Sequence, residues 1–111
     1  VQIEILESGP VTTLKLSGEI DLHASPELRK RLQACVRSQT PSLLLDFTEV
    51  IYIDSSGLAT LIEYVRESSG FGGKFVLFGL QKRVHSIFDL VRLNELFVIS
   101  GTADEAALAA K

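Results

Sequence analysis

The chain has 111 residues, 46% of them hydrophobic and 23% charged, with a formal net charge of -3 and a pI near 5.3. That length and apolar share suit one domain with one core, and the acidic balance with scattered lysines and arginines excludes the basic face of a nucleic-acid binder. No apolar run approaches the roughly 20 residues that span a bilayer, and a start carrying Glu4 and Glu7 is no secretory signal, so a cytoplasmic protein without membrane insertion is expected.

Gln2-Ile3-Glu4-Ile5 alternates polar and apolar as a strand with one wet face does, and Ser8-Gly9-Pro10 breaks it as a turn. Alternation resumes from Val11 to Ile20 with Leu14 and Leu16 inward, predicting a hairpin with the first strand. Ser25-Pro26-Glu27 reads as a helix start, with Ser25 as cap, and Leu28, Leu32, Cys35 and Val36 form its apolar face. Helical spacing spreads Arg29, Lys30, Arg31 and Arg37 over the solvated side. Cys35 is the only cysteine, so it has no partner for a disulfide or for a thiolate metal site. Gln39-Thr40-Pro41 ends the helix, and Ser42 to Phe47, with three consecutive leucines, predicts a strand covered on both faces. No methionine stands at position 1 or anywhere else, as expected of a chain trimmed at its start.

The stretch Ile51-Tyr52-Ile53-Asp54-Ser55-Ser56-Gly57-Leu58 is the centre of the pattern. An apolar run stops at small polar residues, and Leu58, Leu61, Ile62 and Val65 then recur at helical spacing. The expected form is strand, tight corner, helix, with Asp54, Ser55 and Ser56 available to cap the unpaired N–H groups of the first turn. A serine hydroxyl at a helix N-terminus can also carry a phosphate, because the partial positive charge there suits an anion. Gly70, Gly72 and Gly73 close this helix and open the strand Lys74 to Phe78, which is the reverse order of a phosphate loop. Val84, Ile87, Phe88 and Val91 mark a third helix, Leu96 to Ile99 a last strand, and Thr102 with Glu105 a capping box for a final helix.

Helices placed between strands predict an α/β domain with a mostly parallel sheet and an antiparallel first strand. The loops Gly18–His23, Asp54–Gly57 and Gly79–Lys82 leave the carboxyl ends of strands, so they are expected at one rim, where function should lie. Enzyme chemistry is not indicated. The nucleophile elbow G-x-S-x-G is absent, only His23 and His85 could act as base, and the histidines and cysteine show no metal-ligand spacing. No cofactor is expected.

Gly18-Glu19-Ile20-Asp21, Leu43–Phe47, Tyr52-Ile53-Asp54-Ser55-Ser56-Gly57-Leu58 and Gly72-Gly73 together resemble the STAS domain, named for sulfate transporters and anti-sigma-factor antagonists. The resemblance runs over essentially the whole chain and implies the STAS fold, a mixed, mostly parallel sheet of about five strands with about four helices. Asp-Ser-Ser-Gly-Leu is most similar to the stand-alone bacterial antagonists. For those, the resemblance implies a partner-switching cycle. The unmodified protein binds an anti-sigma factor and releases sigma, the anti-sigma factor is also a serine kinase that phosphorylates the serine after the aspartate, and a serine phosphatase reverses it.

Carried over, the phosphorylated residue is Ser55. Asp21, His23, Asp54, Ser55, Ser56, Gly57 and Leu58 are the implied partner-binding residues, and ATP and magnesium belong to the kinase. Two positions depart from the pattern. Ala59 stands where many antagonists have glycine, and Arg92 where the third helix often ends in glycine. A STAS scaffold subunit without a switch, such as one docked on a lipid-transporting ABC permease, is the alternative, and the double serine favours the switch. A nucleotide-binding STAS module is disfavoured by the missing phosphate loop.

Overall fold

The computed structural model describes residues 1–111. Strands β1 (Gln2–Ser8) and β2 (Val11–Ile20) lead to helix α1 (Ser25–Arg37), then β3 (Ser42–Ile53), α2 (Ser55–Ser69), β4 (Lys74–Phe78), α3 (Lys82–Leu90), β5 (Val98–Ser100) and α4 (Ala103–Ala109). A short 3-10 turn, Leu93–Glu95, precedes β5, so that strand begins later than the apolar run from Leu96 predicts. The five strands lie in chain order; β1 is antiparallel to β2 and every other pair is parallel. This is the mixed sheet with four helices that the sequence predicts.

The covered strand is β3. Leu43, Leu45 and Phe47 join the larger core with Leu28 and Leu32 of α1, Leu58, Leu61 and Tyr64 of α2, and Val84 and Phe88 of α3. Leu44 belongs to a second cluster with Val76, Phe78, Ala106 and Ala110, which α4 closes. Aromatic edges lock the larger core: Phe88 meets Phe47 at 6.2 Å and Phe97 at 5.6 Å, and Tyr64 lies 4.7 Å from Phe75. The Tyr64 ring is 2% exposed, and its hydroxyl has no hydrogen-bond partner in the protein.

The strand predicted to end at Phe47 and the apolar run at Ile51–Ile53 are one continuous strand. Its register against β2 slips twice: Lys15 and Ser17 face Asp46 and Glu49, and Gly18 and Glu19 face Val50 and Tyr52. Each slip is a bulge with one extra residue on β3. The buried residues therefore recur at every third position, Phe47, Val50 and Ile53, whereas β2 keeps plain alternation.

β4 ends opposite Asp46, so β2 and β3 run on together as a two-stranded ribbon. This corrects the expected rim. Gly79 packs on Thr48, and the Gln81 amide donates to the Thr48 carbonyl at 3.0 Å. The Gly79–Lys82 loop is thus level with the middle of β3. At about 3.3 Å per residue, and with the bulge residues adding no length, the corner at Asp54 stands roughly 15 Å farther along. Only the β2 and β3 ends meet there.

Other local signals hold, some with different atoms. Thr102 accepts from the Glu105 N–H at 3.2 Å, while the Glu105 carboxylate reaches back to Gly101 N–H at 3.2 Å. After α3, Arg92 takes the left-handed conformation at φ 59° that glycine favours. The basic residues of α1 face solvent as expected, and Arg29 makes a two-pronged pair with Glu63 of α2 at 2.9–3.2 Å.

Candidate functional site

Asp54 is the joint between β3 and α2. Its backbone is extended, at φ −107° and ψ −174°. Oδ1 accepts from the N–H groups of Ser56 at 2.9 Å and Gly57 at 3.2 Å, which caps α2. The same oxygen accepts the Ser56 hydroxyl at 2.6 Å. The Asp54 N–H donates to the Ile20 carbonyl at 3.1 Å, fixing the corner to the end of β2. These donors hold the carboxyl below the usual aspartate range. The Ser56 hydroxyl contributes most, desolvation opposes it, and the N–H groups of Gly57, Ser56 and Leu22 add to the lowering.

The two serines separate cleanly. Ser56 is half-buried, and its Oγ lies 3.0 Å from Ser25 Oγ. The Ser25 hydroxyl in turn donates to the Asp21 carbonyl at 2.7 Å. Neither Ser55 nor Ser56 caps the helix; Asp54 alone does so, because only its carboxylate sits before the first turn. Ser55 is the first residue of α2, is exposed, and its hydroxyl makes no hydrogen bond within the protein.

Asp21 organises the facing loop. Its carboxylate accepts from the N–H groups of His23 and Ala24, each at 3.0 Å. The expected cap at Ser25 is therefore corrected. Ser25 is already inside α1, 6% exposed, and makes no cap bond; Asp21 supplies the acceptor instead. His23 is exposed beside it. The structure thus brings Asp21, His23, Asp54, Ser55 and Ser56 to one end of the β2–β3 ribbon.

Gly57 and Leu58 lie beneath the corner. Leu58 is 7% exposed and belongs to the larger core, so it anchors α2. Gly57 is buried, and a Cβ there would meet Ile53 at 2.7 Å and Ile20 at 2.8 Å. Its missing side chain makes room for the protein's own strands. Sequence reasoning also passed over Leu22, which is 71% exposed. The available signal was a large apolar residue set between Asp21 and His23 in a polar loop.

Comparison with known proteins agrees with this fold. Residues 2–106 match the sequence model of the STAS domain. The chain is 29% identical over 90 residues to an anti-sigma-B factor antagonist of Listeria monocytogenes, covering 81% of this chain and 79% of that protein. It is 25% identical to the anti-sigma-B factor antagonist of Bacillus subtilis over 94% of each. The crystal structure of an anti-sigma factor antagonist from Mycobacterium paratuberculosis superposes with a TM-score of 0.89 at 25% identity, covering 98% of this chain and 92% of that one. With the matched residues running from β1 into α4 and the five-strand order already established from the hydrogen bonds, the chain belongs to the STAS domain family.

Proposed function

We propose that this chain is an anti-sigma factor antagonist whose binding is switched off by phosphorylation of Ser55. The observation that carries the reading is the contrast within the serine pair: Ser55 Oγ is exposed and uncommitted, whereas Ser56 Oγ is spent on Asp54 at 2.6 Å. A kinase can reach the first without dismantling the corner. The names of the Listeria and Bacillus relatives support the antagonist role. No helix is long and apolar enough to cross a membrane.

Phosphate at Ser55 adds about −1.5 to −2 charges at pH 7. It sits at the N-terminus of the 15-residue α2, where the helix dipole favours an anion. The fold therefore tolerates the modification, while a partner docked on the corner meets new bulk and charge. Losing about 3 kcal/mol there weakens binding more than a hundredfold. The chain is in this scheme a ligand and a kinase substrate, the anti-sigma factor supplies ATP and magnesium, and a serine phosphatase restores the binding form.

The test combines purified anti-sigma factors that carry serine-kinase activity with the chain and Mg-ATP, followed by intact-mass and peptide mapping. One phosphate on Ser55 is expected. Ser55→Ala should bind and resist the kinase, and Ser55→Asp should bind at least tenfold more weakly. Phosphate on another residue, or equal binding by parent and both variants before and after kinase treatment, refutes the switch.

A further inference from the structure

Beside the corner, an open groove of about 390 Å³ runs between the first turns of α1 and α2. Its sides carry Leu22, Pro26 and Ala59, and Lys30 and Gln33 also line it. Arg29, Ser25, Ser56 and Thr60 complete the lining, yet each of the three hydroxyls already has an acceptor inside the protein. Ser25 donates to the Asp21 carbonyl at 2.7 Å, Ser56 to Asp54 at 2.6 Å and Thr60 to the Ser56 carbonyl at 2.9 Å. With those protons spent, the groove offers chiefly apolar contact. Of its two cationic lining residues, Arg29 is held by Glu63, and Lys30 makes no ion pair.

We infer that this groove selects the partner, by taking an apolar side chain whose neighbouring carboxylate pairs with Lys30. The inference rests on the proposed antagonist role and specifies what the partner must bring. It also accounts for Ala59 and Leu22, whose carbon surfaces set the width and depth of the seat. Ser55 follows directly on Asp54 and precedes Ser56 of the groove wall. Its phosphate would place negative charge beside the partner's carboxylate, so the groove and the switch oppose each other electrostatically.

Two measurements test this. In the first, the anti-sigma factor that phosphorylates Ser55 is titrated against parent, Leu22→Ser, Lys30→Glu and Lys30→Arg. The expected result is a tenfold or greater loss for Leu22→Ser and Lys30→Glu, with Lys30→Arg within about threefold of parent. Tight binding by parent and unchanged binding by both disruptive variants would overturn the groove and leave the antagonist role standing. In the second, 4-methylpentanoate, an apolar chain bearing a carboxylate, is titrated while amide shifts are followed by NMR. Shifts confined to Leu22, Lys30 and Ala59, and lost in Lys30→Glu, support the groove chemistry even if no anti-sigma factor binds. Absent or scattered shifts overturn it.

Discussion

Replacing Gly57 by alanine should unfold the corner from within. An added Cβ would lie 2.7 Å from Ile53 Cγ1, 2.8 Å from Ile20 Cγ2 and 2.8 Å from the Ile20 carbonyl oxygen. Both isoleucines are essentially unexposed, at 0% and 1%, and the carbonyl is the acceptor for the Asp54 N–H, so none of the three can give way cheaply. Overpacking of this kind costs about 1–3 kcal/mol. Alanine regains at most about 0.8–1.0 kcal/mol of helix propensity, and less in a first turn. The net expectation is a loss of about 1–2 kcal/mol, or a Tm lower by roughly 4–8 °C for a domain of this size. Urea unfolding followed by circular dichroism should show a lower midpoint at unchanged slope. A midpoint equal to or above that of the parent would refute the claim that this glycine is demanded by the approach of β2 and β3.

Asp54→Asn should keep the cap geometry and lose the charge-assisted bonds, costing about 0.5–1.5 kcal/mol at pH 7 in a urea titration. Because the folded Asp54 carboxyl is held below its ordinary value, its contribution is complete above the unfolded pKa of about 4 and fades as pH falls through the lower folded pKa. The parent-minus-variant difference should therefore shrink on acidification below about pH 4, and a difference that is flat or growing there would refute the assignment. Tyr64→Phe removes a buried hydroxyl that has no partner, so Tm should hold or rise by a few degrees; a drop beyond about 4 °C would show that the hydroxyl is satisfied.

The order of elements was legible because each was written in its own period. Leu28, Leu32 and Leu58, Leu61 mark helices, Leu14 and Leu16 a strand, and Leu43–Leu45 a strand covered twice. The Asp54 corner was equally legible, since a capping residue between an apolar run and an amphipathic one has few other uses. What stayed hidden depends on partners remote in sequence. The bulges of β3 arise from its register with β2, so the gap between Phe47 and Ile51 looked like a break. Which hydroxyl was spare could not be read from Ser55-Ser56, because Ser25 lies 31 positions before its contact Ser56. The Gly79–Lys82 loop was misplaced because strand lengths differ: β3 has 12 residues and β4 has 5. Arg92 shows local preference overruled, with a left-handed arginine where glycine would be unstrained.

The two bulges also govern how this stretch can vary in length. Along β2, Leu14, Leu16 and Ile20 turn inward on a strict two-residue period, while β3 reaches the same level with two extra residues. Removing the extra residue of either bulge would restore plain alternation with Phe47, Val50 and Ile53 still inward. In the evenly paired stretch Leu43–Asp46, by contrast, losing one residue would slip the pairing by one place and turn buried leucines outward. The β3 segment therefore tolerates a change of length only at its two bulges, where the count of residues already exceeds that of β2.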